Sequence, residues 1–210
     1  MNLQCNTNAR LQLSQQAEIT ILAAELGVLR PRDVEAKGIP REYLLRLLRR
    51  GVLVRSGRGL YRLADAPVTE HHSLAEVAKR APDATICLLS ALVFHDLTTQ
   101  LPREVWIALP AGRRAPKIDT VGIRVARFTG KALTEGREKH KLEGVPVQIY
   151  CAAKTVADCF KFRNKIGLDV AMEALRNCLH KRVATVREIQ HYAEICRVGR
   201  VMRPYLEAIA

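Results

Sequence analysis

The chain has 210 residues, 48% of them apolar, and a formal net charge of +13. Such a length supports one large core or two small ones, and such a charge favours a polyanionic partner, nucleic acid above all, while saying little about fold. The most apolar window, Ile86–Phe94, is far too short to span a bilayer.

The N-terminal residues to about Ser14 are polar and aperiodic, which predicts a partly ordered tail with no secretory leader. From Gln15 to Leu26, residues Ile19, Leu22, Ala23 and Leu26 form one stripe of an amphipathic helix, and Gly27 ends it. Arg30-Pro31 opens a short second helix with Val34 and Ala36 inward and Gly38 at its end. Ile39 plugs the core and Pro40 opens a third helix, whose apolar face is Tyr43, Leu44, Leu47 and Leu48. Gly51 closes it. Two strands, Val52–Arg55 and Leu60–Leu63, flank Ser56-Gly57-Arg58-Gly59, whose glycines suit a tight hairpin. Helix, helix, helix, hairpin is the order of a winged helix-turn-helix.

This stretch is also the most basic part of the chain. Between Leu29 and Leu63, ten basic side chains stand against Asp33, Glu35 and Glu42, leaving a net +7. Arginine reaches phosphates or bonds bidentately to guanine edges, and the start of a recognition helix faces the bases. Arg41, Glu42 and Arg46 are therefore assigned to the groove, and Arg32, Arg49, Arg50, Arg55 and Arg58 to the backbone. A solvated basic face is the competing reading; ordered helix breaks and a glycine hairpin favour the DNA reading. Tyr61 is expected to pack the wing onto the helices.

Asp65-Ala66-Pro67 marks a boundary, giving domains 1–66 and 67–210. Glu70–Lys79 is predicted helical, with Ser73 and Glu76 as a capping box. Pro82-Asp83 breaks it, and Ala84–Leu97 reads as one buried helix. Glu104–Leu109, Gly122–Phe128 and Val145–Tyr150 read as strands, with a further one near Lys141–Gly144 through a turn at Glu143-Gly144. Helices follow, with capping boxes at Thr155/Asp158 and Thr185/Glu188. A stripe of Val186, Ile189, Tyr192, Ala193 and Cys196 ends at Gly199, and Pro204 starts the last turns. The fold class is α+β: an N-terminal winged helix-turn-helix followed by a C-terminal mixed α/β domain with a small sheet and several helices.

No catalytic constellation emerges. His95-Asp96 lies at a helix end, and neighbours on a helix diverge by about 100°, so capping explains the pair better. Lys154 and Asp158 resemble a dyad, yet Asp158 is accounted for by capping and a pair with Lys161 or Arg163. Trp106 reads as core, and the loop bearing Arg113, Arg114 and Lys117 as solvated or as a second nucleic-acid patch. No Gly-rich phosphate loop occurs. The six cysteines lack C-x-x-C spacing and have no histidine at zinc-finger spacing, which predicts reduced thiols in a cytoplasmic protein with no metal and no cofactor.

Three sets of residues carry a family resemblance. The first is Arg30-x-x-Asp33-Val34 to Gly38-Ile39-Pro40, with Leu44-x-Arg46-Leu47 and Gly51-x-Leu53-x-Arg55. The second is Gly57-Arg58-Gly59-x-Tyr61-x-Leu63. The third, downstream, is Leu88–Leu92 with His95, Leu97 and Thr98, then Val105–Ala108, and Lys154-Thr155 through Arg163. Together they resemble the AbiEi-type antitoxins and transcriptional regulators of type IV toxin–antitoxin systems. The resemblance implies a bacterial repressor of its own operon, bound to double-stranded promoter DNA at inverted repeats. It also implies functional pairing with a nucleotidyltransferase-like toxin, with antitoxicity residing in residues 68–210; separately, the lack of a catalytic constellation argues against an enzyme and the lack of a long apolar run against a membrane partner. The alternatives are a winged-helix regulator with a ligand-sensing C-terminal domain, or an enzyme or enzyme modulator whose second domain acts on nucleotide or RNA.

Overall fold

The structure, a computed structural model, describes residues 3–66 and 69–209, with side chains from residue 14 onward. The chain forms two compact units, residues 1–79 with 141–146, and residues 80–140 with 147–210.

In the first unit α1 spans Leu3–Leu26, α2 Pro31–Glu35 and α3 Arg41–Arg49, followed by the antiparallel hairpin of β1 (Leu53–Gly57) and β2 (Leu60–Leu63) and by α4 (His72–Arg80), whose last residue falls in the second unit. The expected N-terminal tail is therefore helical: α1 begins at Leu3 rather than Gln15. Leucine, glutamine, alanine and arginine carry helix propensity without an apolar stripe, so periodicity misses the extension. Ile19, Leu22, Ala23, Leu29, Val34, Ile39, Leu44, Leu47, Leu53 and Tyr61 make one core. Ala36 is the exception to the expected inward set: α2 ends at Glu35 and leaves Ala36 exposed.

The turns that separate α2 from α3 and α3 from β1 share one device. Gly38 and Gly51 take φ of +73° and +72°, and the next N–H, from Ile39 or Val52, bonds back to the carbonyl of Val34 or Leu47 at 3.3 and 3.1 Å. This closes each helix with a left-handed residue and sends an apolar side chain back toward the core. Leu29 and Tyr61 exchange backbone hydrogen bonds at 2.7 and 3.0 Å, tying the wing to the segment before α2. At the hairpin tip only Gly59 has positive φ; Gly57 ends β1 in extended conformation, beside a register shift between Arg55 and Gly57. Ser73 does not cap α4. It lies inside the helix, and Thr69 Oγ1 accepts the His71 N–H one turn earlier, at 3.2 Å. Pro67, expected at the boundary, lies outside the described residues.

The second unit is built on a five-stranded mixed sheet with order β5-β4-β3-β7-β6. Its elements are β3 (Thr85–Ile86), α5 (Leu88–Phe94), β4 (Val105–Pro110), β5 (Ile123–Phe128), α6 (Lys131–Thr134), β6 (Arg137–Leu142) and β7 (Val145–Tyr150). Helices α7 (Ala152–Lys161), α8 (Arg163–Ile166), α9 (Leu168–His180), α10 (Val186–Ile195) and α11 (Gly199–Ile209) complete it. The segment expected as one helix from Ala84 divides: Thr85–Ile86 is the central strand, antiparallel to β4 and parallel to β7, and the helix starts at Leu88. Strand pairing on both sides overrides a run whose apolarity alone cannot distinguish strand from helix.

Helix α7 is the centre of this unit. Ala152 to Phe160 are all buried, and α5, α9, α10 and α11 pack on it. Thr155 and Asp158 consequently sit mid-helix and form no capping box, whereas Thr185 and Glu188 do at the start of α10. Helix α10 ends before Gly199: Arg197 takes the positive φ, Gly199 opens α11, and Pro204 lies within α11.

Candidate nucleic-acid interface

Helix α3 presents its charges because its apolar residues leave no other choice. At 100° per residue, Leu44, Leu47, Leu48 and Tyr43 occupy one side, with Leu44 and Leu47 fully buried. Arg41, Leu45, Arg49, Glu42 and Arg46 fall within the opposite arc of about 140°. Arg41, Glu42 and Arg49 are exposed, and Arg46 is half-buried.

Each assigned side chain lies at the surface of the first unit. Arg46 donates to Glu42 at 2.8 Å, one turn back along α3, and its guanidinium lies 5.0 Å from the Tyr43 ring centroid. Arg50, just past the helix, donates to Gln16 of α1. On the wing, Arg55 lies 5.9 Å from the ring centroid of Tyr61, itself fully buried as the sequence predicts, and Arg58 is exposed near the tip. Arg32 is exposed on α2. The side chains of Arg32, Arg41 and Arg49 make no hydrogen bond or ion pair among the described residues. Arg62, by contrast, turns onto the carbonyls of Leu63 and Ala66.

The Arg46–Glu42 pair is a solvent-facing i,i+4 contact of roughly 0.3–0.5 kcal/mol, so a phosphate or a guanine edge can displace it cheaply. Orientation comes from elsewhere. The Arg30 N–H donates to Asp33 Oδ2 at 2.8 Å, and Lys79 pairs with the same oxygen at 3.2 Å, fixing the start of α2. Glu143 accepts from the N–H and hydroxyl of Thr69, both at 2.8 Å, and lies 2.6 Å from His72 Nδ1. Apart from the local Arg30–Asp33 bond, these clamps are not legible in sequence spacing, because they join residues that only folding brings together.

In the second unit the suggestive pairs resolve as structural. His95 terminates α5, and its Nε2 lies 2.8 Å from the Tyr150 carbonyl; burial holds its pKa below the ordinary value, so the ring is neutral and donates there. Asp96 instead pairs with Lys181. Asp158 pairs with Lys154, not with Lys161 or Arg163, and also accepts from Cys196 Sγ at 3.1 Å. Both charges are fully buried, with Lys154 Nζ 4.2 Å from the Tyr150 ring centroid. Burial raises the Asp158 carboxyl above its usual range, opposed by Lys154. Trp106 is core, overlaid by Arg124 at 4.8 Å, and Arg113 pairs with Asp83 at 2.7 Å. Cys87, Cys151, Cys159, Cys178 and Cys196 are free thiols, and among the described residues no three metal-binding side chains cluster. No described helix is long and apolar enough to cross a membrane.

Three helices, a two-stranded wing and an appended mixed-sheet unit define a winged helix-turn-helix protein of the α+β class. Residues 16–64 match the family model described as transcriptional regulator, AbiEi antitoxin, so the resemblance drawn from the sequence holds over the helices and the wing. No curated protein matches the chain. Among solved structures, the chain resembles the crystal structure of RV2827C protein from Mycobacterium tuberculosis, at 13% identity and a TM-score of 0.56, over 94% of this chain and 82% of that one. At that identity the likeness is one of fold.

Proposed function

We propose that this protein is a cytoplasmic bacterial transcriptional repressor that acts as the antitoxin of a type IV toxin–antitoxin system and autoregulates its operon. The observation that carries the DNA reading is the arc of Arg41, Glu42, Arg46 and Arg49 on α3, flanked by Arg50, by Arg32 on α2 and by Arg55 and Arg58 on the wing, within the residues that match the regulator family. In this reading the first turn of α3 enters the major groove of double-stranded promoter DNA at inverted repeats, and the remaining arginines hold phosphates. Repression is by occlusion, without cofactor and without catalysis. Residues 68–210 supply the antitoxic activity against a nucleotidyltransferase-like toxin.

The test has two arms. Electrophoretic mobility shift with the DNA upstream of the gene should give a discrete complex that Arg41→Ala and Arg46→Ala weaken. The gene beside this one should encode a nucleotidyltransferase-like protein that arrests growth when expressed alone, and co-expression of the full chain should restore growth. Absence of preference for the upstream DNA contradicts the repressor reading; absence of rescue contradicts the antitoxin reading.

A further inference from the structure

The second unit contains an open cleft of about 780 Å³ that the DNA-binding reading does not use. Its walls come from β6 (Arg137, Glu138), the start of α7 (Cys151, Ala152, Ala153), the start of α10 (Arg187, Glu188, His191, Tyr192) and the preceding Val183 and Ala184. We propose that this cleft binds a small phosphorylated molecule, the phosphate held by Arg137, Arg187 and His191 and the organic part lying toward Val183, Ala184 and Tyr192.

Four observations support this assignment. First, two ten-residue helices begin at the cleft, and the N–H groups of Ala152 and Ala153 on α7 and of Arg187 on α10 occupy positions without an intrahelical acceptor. Second, the cations are placed and available. Arg137 is anchored through Nε to the Leu133 carbonyl at 2.8 Å and also hydrogen-bonds the Tyr150 hydroxyl, so it is fixed at the wall, while Arg187 is exposed and forms no ion pair among the described residues. Third, each acid on the walls already has a partner: Glu188 accepts from the Thr185 N–H and hydroxyl at 2.7 Å, and Glu138, whose charge also acts on Cys151 and Tyr192, lies 3.3 Å from His140. Fourth, the remaining polar groups are neutral at physiological pH. Burial raises both the Cys151 thiol and the Tyr192 hydroxyl, and the two are hydrogen-bonded to one another.

Size sets the ligand class. A volume of this order exceeds what inorganic phosphate fills and lies within the range of small-molecule sites. Val183 is 45% exposed, one of few large apolar side chains so uncovered, and it stands beside the cationic wall. An organic group would cover it.

The experiment uses the full chain, with inorganic phosphate, AMP and adenosine as probes in calorimetric titration and thermal-shift assays. Inorganic phosphate should bind saturably, AMP at least tenfold more tightly, and adenosine not at all. Arg187→Gln, an exposed substitution that leaves the circular-dichroism melt unchanged, should weaken AMP binding tenfold or more. Arg46→Gln on α3 should leave it unchanged. The proposal is overturned if neither phosphate probe saturates, if AMP competes no better than phosphate, or if Arg46→Gln rather than Arg187→Gln removes the binding.

Discussion

At the scale of single residues, Glu42 and Arg46 form the informative pair of the candidate interface. Their contact is solvent-facing and weak, yet it sets a carboxylate where anionic DNA would approach. Glu42→Gln removes that repulsion and should raise affinity for non-specific DNA severalfold. Arg46→Ala should cost about 1–3 kcal/mol if the guanidinium reads a base, and should also relax sequence preference at one position. A competition assay with single-base operator variants separates the two effects. Glu143 offers a pH-dependent counterpart. Burial pushes its carboxyl up, but hydrogen bonds from His72 and Thr69 outweigh this and leave its pKa below the ordinary 4.5. A carboxyl depressed in the folded state contributes stability above its unfolded pKa and loses it as pH falls through the folded value. Stability should therefore decline below about pH 4.5, and Glu143→Gln should flatten that acid limb in denaturant titrations at stepped pH.

At the scale of elements, two places carry backbone and charge in arrangements that tolerate little change. Gly27 has φ +65°, and a Cβ there would overlap the Glu143 carbonyl far inside van der Waals contact; Gly144 opposite would meet the Gly27 nitrogen at 2.6 Å. Gly27→Ala should destabilise the first unit by more than about 2 kcal/mol, since it adds left-handed strain to a clash with backbone. A thermal melt reads this, and a wild-type midpoint would refute the packing. The buried Lys154–Asp158 pair behaves differently. Asp158→Ala alone should cost about 3–5 kcal/mol because it strands a buried ammonium, while the Lys154→Met/Asp158→Leu double variant should recover much of that loss. Urea unfolding of the three proteins gives the comparison.

These elements also mark what sequence reading could reach. The winged helix was legible because its breaks are chemical: Pro31 and Pro40 open helices, Gly38 and Gly51 close them, and Leu44 and Leu47 assign the inward side. Strand Thr85–Ile86 was hidden because a buried strand and a buried helix share one composition, and only pairing with Ala108, Ile107 and Ile149 decides between them. Thr155 and Asp158 matched a capping spacing, but the helix had already begun at Ala152, so the same two residues serve the interior of α7. Arg137 and Arg187 carried no signal of a shared cleft, being 50 positions apart on unlike elements.

At the scale of the whole molecule, a net charge of +13 makes some attraction to DNA inevitable, so binding alone does not test the account. What separates a reader from a merely basic protein is where the charge acts. Electrostatic association weakens linearly in log K against log salt, with a slope of about −0.9 per phosphate neutralised. The most direct measurement is fluorescence anisotropy of the full chain on DNA from upstream of its own gene and on unrelated DNA, across salt, for wild type, Arg46→Ala and Arg58→Ala. The expected result is tighter binding to the upstream DNA, a weaker complex in both variants, and a slope shallower by about one for a lost phosphate contact. Equal affinity for the two DNAs, with wild-type slopes in both variants, would contradict it.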